Sequence, residues 1–273
     1  MKKIVLCILS VLMCMALVMG LAACSGGSTE DTKAPEGTTP ATSGTSAGTD
    51  TPATLAPVDY VTIPESSAVD ASFFNDAAFV GDSVSLKLSY YCADGVALGN
   101  AQFFTSGSLG TNNALWPLSD PESVHPEYQG EQKLIEDCVA LSGAKRVYIM
   151  LGMNDLGLYG IDATVESYKT LVDRILEKSP SVQIIIESMT PMTADSPIMG
   201  SLNNDVIKEY NGRLKELCEA EGWLFTDVAS VMYDASGDAL KPEYCSDPEV
   251  MGIHFTEAGC EAWVNYLKTH APK

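Results

Sequence analysis

Basic side chains are scarce in this chain. It carries 16 lysine and arginine residues against 36 aspartate and glutamate residues, which gives a formal net charge of −20 at pH 7. Proteins that bind nucleic acid neutralise its phosphates with clustered lysine and arginine, and this sequence has no such basic cluster. Nucleic acid is therefore not an expected partner, and the acidic balance favours solubility instead.

Metal-binding spacings are also lacking. The chain has three histidines and eight cysteines, but no Cys-x-x-Cys pair and no Cys/His spacing typical of a metal site. Most cysteines beyond the N-terminal segment are expected to be small core residues: Cys92, Cys138, Cys218, Cys245 and Cys260. A disulfide between Cys245 and Cys260 stays open as an alternative. No metal ion, nucleotide or flavin cofactor is predicted.

The first 24 residues have the layout of a secretory signal. Lys2 and Lys3 precede an apolar run, and small residues stand just before Cys24. The ending Leu-Ala-Ala-Cys resembles a bacterial lipobox, which predicts that residues 1–23 are removed and that Cys24 carries lipid. The alternative is a membrane span, because the apolar stretch approaches the roughly 20 residues needed to cross a bilayer. On either interpretation the rest of the chain is exported and held at the membrane, facing outside the cytoplasm.

Large apolar residues are rare in residues 24–70, where Ser, Thr, Pro, Gly and Ala dominate. Such a composition buries too little apolar surface to offset the entropy lost on ordering, so it predicts a disordered linker that begins with the lipidated Cys24. Residues 71–273 remain for one domain of ordinary size. The sequence shows no internal repeat, and a monomer is expected.

The predicted domain alternates short β-rich segments with segments of helical period, which indicates βα units around a parallel sheet. Five strands are predicted, at Ala77–Val80, Ala101–Thr105, Arg146–Leu151, Val182–Ser188 and Leu224–Val228. Helices with apolar residues at three and four spacing are predicted at Lys133–Leu141, Thr164–Lys178, Asn204–Glu221 and Thr256–Thr269. The predicted fold class is α/β, a three-layer α/β/α sandwich with a five-stranded parallel sheet.

Polar clusters follow the first three predicted strands. Gly81-Asp82-Ser83 comes after the first, Ser106-Gly107-Ser108 after the second, and Gly152-Met153-Asn154-Asp155 after the third. Sites in parallel sheets lie at the carboxyl ends of strands, so these clusters are expected to meet at one edge of the sheet. His254 lies in the loop before the last predicted helix.

These segments resemble the SGNH hydrolases, also called GDSL esterases and lipases. That family has a Gly-Asp-Ser turn, a glycine after the second strand, a Gly-x-Asn-Asp loop and an Asp-x-x-His loop near the C-terminus. Gly81-Asp82-Ser83, Gly107, Gly152-Met153-Asn154-Asp155 and His254 match these blocks in order and approximate spacing across the whole domain. The resemblance implies the flavodoxin-like SGNH fold and hydrolysis of an ester through an acyl-enzyme.

The resemblance also implies catalytic roles. Ser83 would be the nucleophile, and His254 would be the base that takes the serine proton on attack and returns it to the leaving alcohol. The oxyanion formed on attack would be held by the backbone N–H groups of Ser83 and Gly107 and by the side-chain amide of Asn154.

Two aspartates stand beside these residues in the sequence, Asp82 and Asp155. Short polar side chains in turns commonly bond nearby backbone groups. Both aspartates are therefore interpreted as structural supports that orient Ser83 and Asn154, and neither is predicted to be catalytic.

One position departs from the family pattern. The third member of the triad should lie three residues before the histidine, and Met251 stands there. A thioether cannot accept a strong hydrogen bond from the imidazole. Asp247 or Glu249 could take the role from the same loop, a backbone carbonyl could orient His254, or the site could work as a Ser-His dyad; lost activity is a further alternative. Asp247 or a carbonyl is favoured, and Asp247 is taken as the predicted third catalytic residue.

The predicted function is a serine esterase that removes acyl groups, acetyl above all, from cell-envelope or extracellular carbohydrate, or from an acylated small molecule. A non-catalytic glycan- or envelope-binding lipoprotein with a degenerate triad is one alternative. An O-acyltransferase, with a sugar hydroxyl in place of water, is another. Residues Ser106–Gly130 and Thr190–Ser201 are expected to shape the pocket, and His125 and His270 are expected to be solvated surface residues.

Overall fold

The computed structural model describes residues 60–273. The predicted signal segment, Cys24 and the linker as far as residue 59 lie outside the described residues. In the part of the chain that is described, no helix is long and apolar enough to span a membrane.

Strands and helices alternate along the described chain. The strands are β1 (Ala77–Gly81), β2 (Gln102–Thr105), β3 (Glu127–Tyr128), β4 (Glu131–Gln132), β5 (Arg146–Met150), β6 (Gln183–Glu187) and β7 (Leu224–Thr226). The α-helices are α1 (Ser83–Tyr91), α2 (Ile135–Ser142), α3 (Met153–Lys178), α4 (Asn204–Glu221) and α5 (Glu257–Thr269). Short 3-10 helices lie at Ala71–Asp76, Asn113–Leu115, Val228–Val231 and Pro242–Tyr244.

Five of these strands form one parallel sheet in the order β2-β1-β5-β6-β7. β3 and β4 pair separately as a small antiparallel hairpin. The direction of the winding reverses between β1 and β5, and in an open α/β sheet a crevice forms there at the carboxyl ends of the strands. The predicted five-stranded parallel sheet is confirmed, and β1 and β5 flank its crevice.

Helices cover both faces of the sheet. α2 packs on α3 and α3 on α4, while α1 packs on α5. Right-handed crossovers that run in opposite directions from β1 place these two groups on opposite faces, which confirms the three-layer arrangement. In the sheet itself, the ring of Phe79 in β1 stacks between Phe103 of β2 and Tyr148 of β5, with centroid distances of 5.1 and 4.7 Å. These aromatic residues are register partners, so their contacts fix the alignment of the three strands.

The cysteines of the described chain belong to the interior. All are buried and free: Cys92, Cys138, Cys218, Cys245 and Cys260. The interpretation of these residues as small core side chains is confirmed, and the open alternative of a Cys245–Cys260 disulfide is not found.

β1 is buried along its whole length and ends at Gly81. A Cβ on this residue would lie 2.1 Å from Oγ of Ser85, in the first turn of α1. Glycine is needed here because the helix starts immediately behind the strand and lies against its end. This close approach fixes Ser83 at the carboxyl end of a central strand.

The ordered domain starts earlier than residue 71. The backbone N–H of Ile63 donates to the carbonyl of Phe225 in β7 at 2.9 Å, and Phe225 donates to the carbonyl of Val61 at 2.8 Å. The N–H of Val69 donates to the carbonyl of Lys268 at 2.9 Å. The structure thus differs from the prediction that the disordered linker extends through residue 70. The segment pairs with β7 over so few residues that it shows no recognisable strand pattern in the sequence. This short pairing nevertheless covers the outer edge of β7.

The third α-helix is longer than the predicted Thr164–Lys178. α3 begins at Met153 and passes through a break at Gly160, whose φ of 76° lies in the left-handed region. The break interrupts the apolar period, which explains why only the second half was predicted. Asn154 and Asp155 consequently lie in the first turn of a helix and not in a loop.

Candidate active site

The end of β1 leads directly into α1, and Ser83 is the first residue of that helix. Asp82 caps the helix, because its Oδ1 accepts the backbone N–H of Val84 at 2.9 Å. The N–H of Ser83 lies in the first helical turn, where N–H groups have no acceptor within the helix. The helix N-terminus therefore places free N–H groups and a partial positive charge beside the Ser83 hydroxyl.

His254 and Asp247 form a hydrogen-bonded chain with Ser83. His254 Nε2 lies 2.9 Å from Ser83 Oγ, and His254 Nδ1 lies 2.6 Å from Oδ2 of Asp247. The side chains of His254 and Asp247 are each 17% exposed, so both are largely shielded from solvent. Because a carboxylate can only accept, Nδ1 carries the hydrogen and Nε2 is left to accept the proton of the serine hydroxyl.

Asp247 also holds the loop that carries the histidine. Its Oδ1 accepts the backbone N–H groups of His254 at 3.0 Å and of Ile253 at 3.2 Å. Its backbone carbonyl accepts the N–H groups of residues 250–252 at 2.9, 3.1 and 3.0 Å. One aspartate thus closes the turn, fixes the backbone of His254 and orients its ring.

Met251 lies inside this turn and away from the imidazole. Its side chain packs against the hydrophobic core, and its carbonyl accepts the hydroxyl of Ser196 at 2.6 Å. Gly252 follows with φ 71°, and a Cβ there would lie 2.2 Å from Oγ1 of Thr193. The tight turn brings Asp247 to the ring of His254, although Asp247 lies seven residues before the histidine and the Asp-x-x-His pattern places the acid only three residues before it.

The charge of Asp247 follows from its contacts. Burial alone would raise the pKa of Asp247, but the hydrogen bonds from the ring and the backbone N–H of His254 outweigh it, and the pKa lies below its ordinary value. Asp247 is therefore ionised at neutral pH. Glu249, the other carboxylate considered for this place, is exposed and makes no hydrogen bond to His254 within the described residues.

Asn154 lies at the carboxyl end of β5, in the first turn of α3. Its Nδ2 donates to the carbonyl of Leu109 at 2.9 Å and makes a longer contact of 3.4 Å with Oδ2 of Asp82. The neighbouring Asp155 is buried and accepts the backbone N–H groups of residues 111–112 at 2.6 and 3.1 Å. These contacts tie the ends of β1 and β5 to the loop after β2.

Asp82 and Asp155 differ from Asp247 in their titration. Burial raises the pKa of Asp82 to about 6, although the N–H of Val84 and the charge of His254 act against the rise. Burial also raises the pKa of Asp155, against the hydrogen bonds that it accepts from backbone. Both carboxyls hold backbone or amide groups in place, and neither forms a hydrogen bond with the side chains of Ser83 or His254 within the described residues.

Gly107 lies in an exposed turn after β2. The turn is anchored next to the serine, since the N–H of Ser106 donates to the carbonyl of Gly81 at 3.2 Å. Among the described residues the N–H of Gly107 meets no hydrogen-bond acceptor, and a Cβ on this residue would have no atom within 4 Å. Packing does not require a glycine here, and the backbone at Gly107 is open to an approaching molecule.

A cleft of about 310 Å³ opens beside the serine. It is lined by Ser83, Leu86, Lys87, Tyr90, Ser246, Asp247 and His254. Sequence reasoning missed Lys87 and Tyr90, although they follow Ser83 at the helical spacings of four and seven residues. The segments Ser106–Gly130 and Thr190–Ser201, expected to shape the pocket, contribute no residue to this lining.

The remaining histidines have structural contacts. His125 is 3% exposed, and its Nε2 lies 2.9 Å from the carbonyl of Trp116. His270 is partly buried and stacks on Tyr266 with ring centroids 3.8 Å apart. The expectation of a solvated surface residue is therefore wrong for the buried His125, whereas His270 keeps part of its surface exposed. Between residues 60 and 273, no group of three or more His, Cys, Asp or Glu side chains is placed to hold a metal ion.

Comparison with known families gives one match. Residues 122–262 match the GDSL-like Lipase/Acylhydrolase family. The matched range contains Asn154, Asp247 and His254, and Ser83 and Gly107 precede it. No curated protein matches the chain significantly.

Solved structures share the fold. A candidate acylhydrolase from Bacteroides fragilis matches with a TM-score of 0.54 and 20% identity, over 70% of this chain and 83% of its own. A GDSL-like lipase from Bacteroides thetaiotaomicron matches with a TM-score of 0.54 and 17% identity, over 70% and 85%. A candidate GDSL-like lipase from Parabacteroides merdae matches with a TM-score of 0.50 and 15% identity, over 78% and 100%. At these identities the likeness extends to the fold alone.

Proposed function

The chain belongs to the GDSL-like lipase/acylhydrolase family, and from this we propose that it is a serine esterase that uses Ser83, His254 and Asp247. The observation that carries the proposal is the unbroken chain of hydrogen-bond distances from Ser83 Oγ through the imidazole to Asp247. A free serine hydroxyl is a weak nucleophile, and an oriented base beside it is the usual remedy.

The reaction follows from this geometry. Ser83 Oγ attacks the ester carbonyl while its proton moves to His254 Nε2, and the imidazolium is stabilised by the ionised Asp247. His254 then gives that proton to the departing alkoxide, which leaves as the alcohol, while the acyl group stays bound to Ser83 Oγ as an acyl-serine. Water attacks the acyl-serine with His254 again as base, and the carboxylic acid leaves with Ser83 restored.

The oxyanion needs donors at the carboxyl ends of the strands. The N–H of Ser83 is free at the helix start, and the N–H of Gly107 lies in the adjoining turn. The amide of Asn154 is anchored by its 2.9 Å bond to Leu109, and the weaker 3.4 Å contact is the one that an oxyanion would replace. Preorganised donors of this kind each contribute roughly 3–4 kcal/mol to the transition state.

The substrate we propose is an acyl ester, acetyl above all, on carbohydrate outside the cytoplasm. The support is the signal-like N-terminus with Cys24 and the polar linker, which would tether the domain at the membrane surface as a lipoprotein. The feature that favoured a non-catalytic binding protein was Met251 at the expected acid position. Asp247 now stands beside the imidazole in its place, which supports the esterase.

The test uses the full chain with 4-nitrophenyl acetate and with acetylated xylan. Ser83→Ala should abolish release of 4-nitrophenol and of acetate while folding is preserved. Ser89→Ala, which removes a hydroxyl from the same helix outside the cleft, is the control and should retain activity. Equal turnover by Ser83→Ala and wild type would overturn the assignment of the nucleophile. Acetyl transfer to an added sugar in preference to water would change the assignment to an O-acyltransferase.

A further inference from the structure

One face of α1 lines the candidate site from Ser83 onward along the helix. Leu86, Lys87 and Tyr90 follow Ser83 at three, four and seven residues, which is the spacing of a single helix face. Four residues advance along a helix axis by about 6 Å, and seven by about 10 Å. Long helical side chains lean toward the helix N-terminus as a rule, and Lys87 lines both the cleft of Ser83 and the neighbouring space beside α5.

Lys87 and Tyr90 stand where two hollows join. They line the cleft of Ser83 and His254, and they also line a neighbouring hollow of about 430 Å³ between α1 and the start of α5. Tyr90 is 66% exposed, so its ring is available to a bound molecule. A substrate that extends from the ester group along α1 would therefore contact these two side chains.

Positive and negative side chains are distributed unequally between the two hollows. Lys87 is the one lysine or arginine that lines either hollow, and it forms no ion pair within the described part of the chain, although acidic residues outnumber lysine and arginine more than twofold. In the cleft of the serine, the carboxylate of Asp247 is engaged by His254. In the neighbouring hollow, Asp94 and Glu257 bring negative charge. An anion beside Lys87 therefore faces one carboxylate on the serine side and two carboxylates farther along, so the serine side is the more favourable of the two.

We propose that Lys87 is a specificity residue, and that the preferred substrates are esters carrying a carboxylate or phosphate one helical turn from the scissile carbonyl. The proposal rests on the proposed esterase function. Its chemistry is a charge-assisted hydrogen bond from the ammonium to an anionic oxygen. Esters of acidic sugars and esters next to a phosphate share this anionic group.

The experiment compares three acetyl esters with the full chain. 4-Acetoxybenzoate carries a carboxylate, 4-acetoxyphenyl phosphate carries a phosphate, and methyl 4-acetoxybenzoate is the uncharged reference. For each enzyme the kcat/KM of an anionic ester is divided by that of the reference. Differences in leaving group cancel when this ratio is compared between wild type and variant.

Lys87→Gln should lower the ratio about tenfold, equivalent to about 1.4 kcal/mol. Lys215→Gln makes the same change of charge at an exposed site on α4 and should leave the ratio unchanged. The wild-type ratio should also fall with added salt, because the contact is partly exposed. The anion whose ratio falls further in Lys87→Gln identifies carboxylate or phosphate as the natural group.

Two outcomes separate this proposal from the esterase assignment. An unchanged ratio in Lys87→Gln, or an equal fall in Lys215→Gln, overturns the subsite while hydrolysis through Ser83 stands. Affinity for 4-acetoxybenzoate in the Ser83→Ala background gives a readout without turnover. Adding Lys87→Gln to the Ser83→Ala variant should weaken binding of 4-acetoxybenzoate about tenfold. Equal affinity with and without Lys87 would overturn the proposed anion contact of Lys87, whether or not the esterase assignment holds.

Discussion

Asp247 and Asp82 are two largely buried carboxyl groups on either side of the pair formed by Ser83 and His254, and they titrate in opposite directions. The pKa of Asp247 lies below its ordinary value, and that of Asp82 is raised to about 6. Asp247 belongs to an irregular loop near the C-terminus, whereas Asp82 belongs to the turn between a central strand and its helix.

The difference comes from the donors that each carboxyl receives. Asp247 accepts the imidazole N–H and two backbone N–H groups. Asp82 accepts one backbone N–H at 2.9 Å and one amide contact at 3.4 Å, and it has the carboxyl of Asp155 nearby. Burial raises the pKa of both, but Asp82 is 2% exposed whereas the side chain of Asp247 is 17% exposed, so the shallower burial and the larger number of donors together keep Asp247 charged. The loop therefore supplies the charged acid, and the strand end supplies a rigid support.

Asp247→Asn should give the largest effect. We expect kcat for 4-nitrophenyl acetate to fall about 10³–10⁴-fold, because an amide lets the imidazole adopt the wrong tautomer and removes the charge that stabilises imidazolium. Glu249→Gln removes the same charge from an exposed position in the loop and should retain activity. A loss of less than tenfold in Asp247→Asn would favour a Ser-His dyad.

Asn154→Ala removes the amide at the carboxyl end of β5 and should cause the next largest loss of activity. Removing one oxyanion donor typically costs about 10²–10³-fold in kcat, with a smaller change in KM because the donor acts on charge that forms in the transition state. Steady-state kinetics on 4-nitrophenyl acetate would measure this. Asn265→Ala, at an exposed position of α5, is the control. A change confined to KM would contradict the oxyanion role.

Asp82→Asn should change the pH dependence of stability. The folded state holds the proton of Asp82 up to about pH 6, while the unfolded chain releases it near pH 3.8. Wild type therefore loses this part of its stability as pH rises from about 4 to 6, by up to about 3 kcal/mol. Asparagine does not titrate. The free energy of unfolding of the variant should therefore rise relative to that of wild type between about pH 4 and 6, and the difference between the two should stay constant above that range.

Urea denaturation at intervals between pH 4.5 and pH 8 measures that difference. Asp195→Asn makes the same chemical change at an exposed position and should run parallel to wild type across the range. A constant difference between Asp82→Asn and wild type would show that the carboxyl of Asp82 is charged throughout, as Asp247 is.

Met251→Asp should have the smallest effect. The side chain at residue 251 faces the core and not the imidazole, so an acid there should not replace Asp247. In the Asp247→Asn background we expect Met251→Asp to recover no more than about twofold of the lost kcat, with circular dichroism as the check on folding. Recovery of most of the activity would mean that the loop can present either position to His254.

Much of the fold and part of the candidate site could be predicted from the sequence. Apolar runs that end in polar clusters predicted the five parallel strands and the edge at which Ser83 and Asn154 meet, because a buried parallel strand leaves a continuous apolar pattern. The helix of Asn204–Glu221 was predicted with the bounds that the structure gives. The segment of residues 61–69 and the first half of α3 were not predicted, since one is too short and the other is broken at Gly160.

The sequence by itself determined the sheet, the order of the polar clusters and the family resemblance, since these depend on patterns between near neighbours in the chain. Only the tertiary structure decided which acid meets His254, which of the nearby carboxyls keeps its charge, and that Lys87 and Tyr90 line the cleft. Those outcomes depend on a tight turn at Gly252 and on donors from distant segments. Contacts and charges of this kind are set by distances through space, which spacing along the chain does not encode.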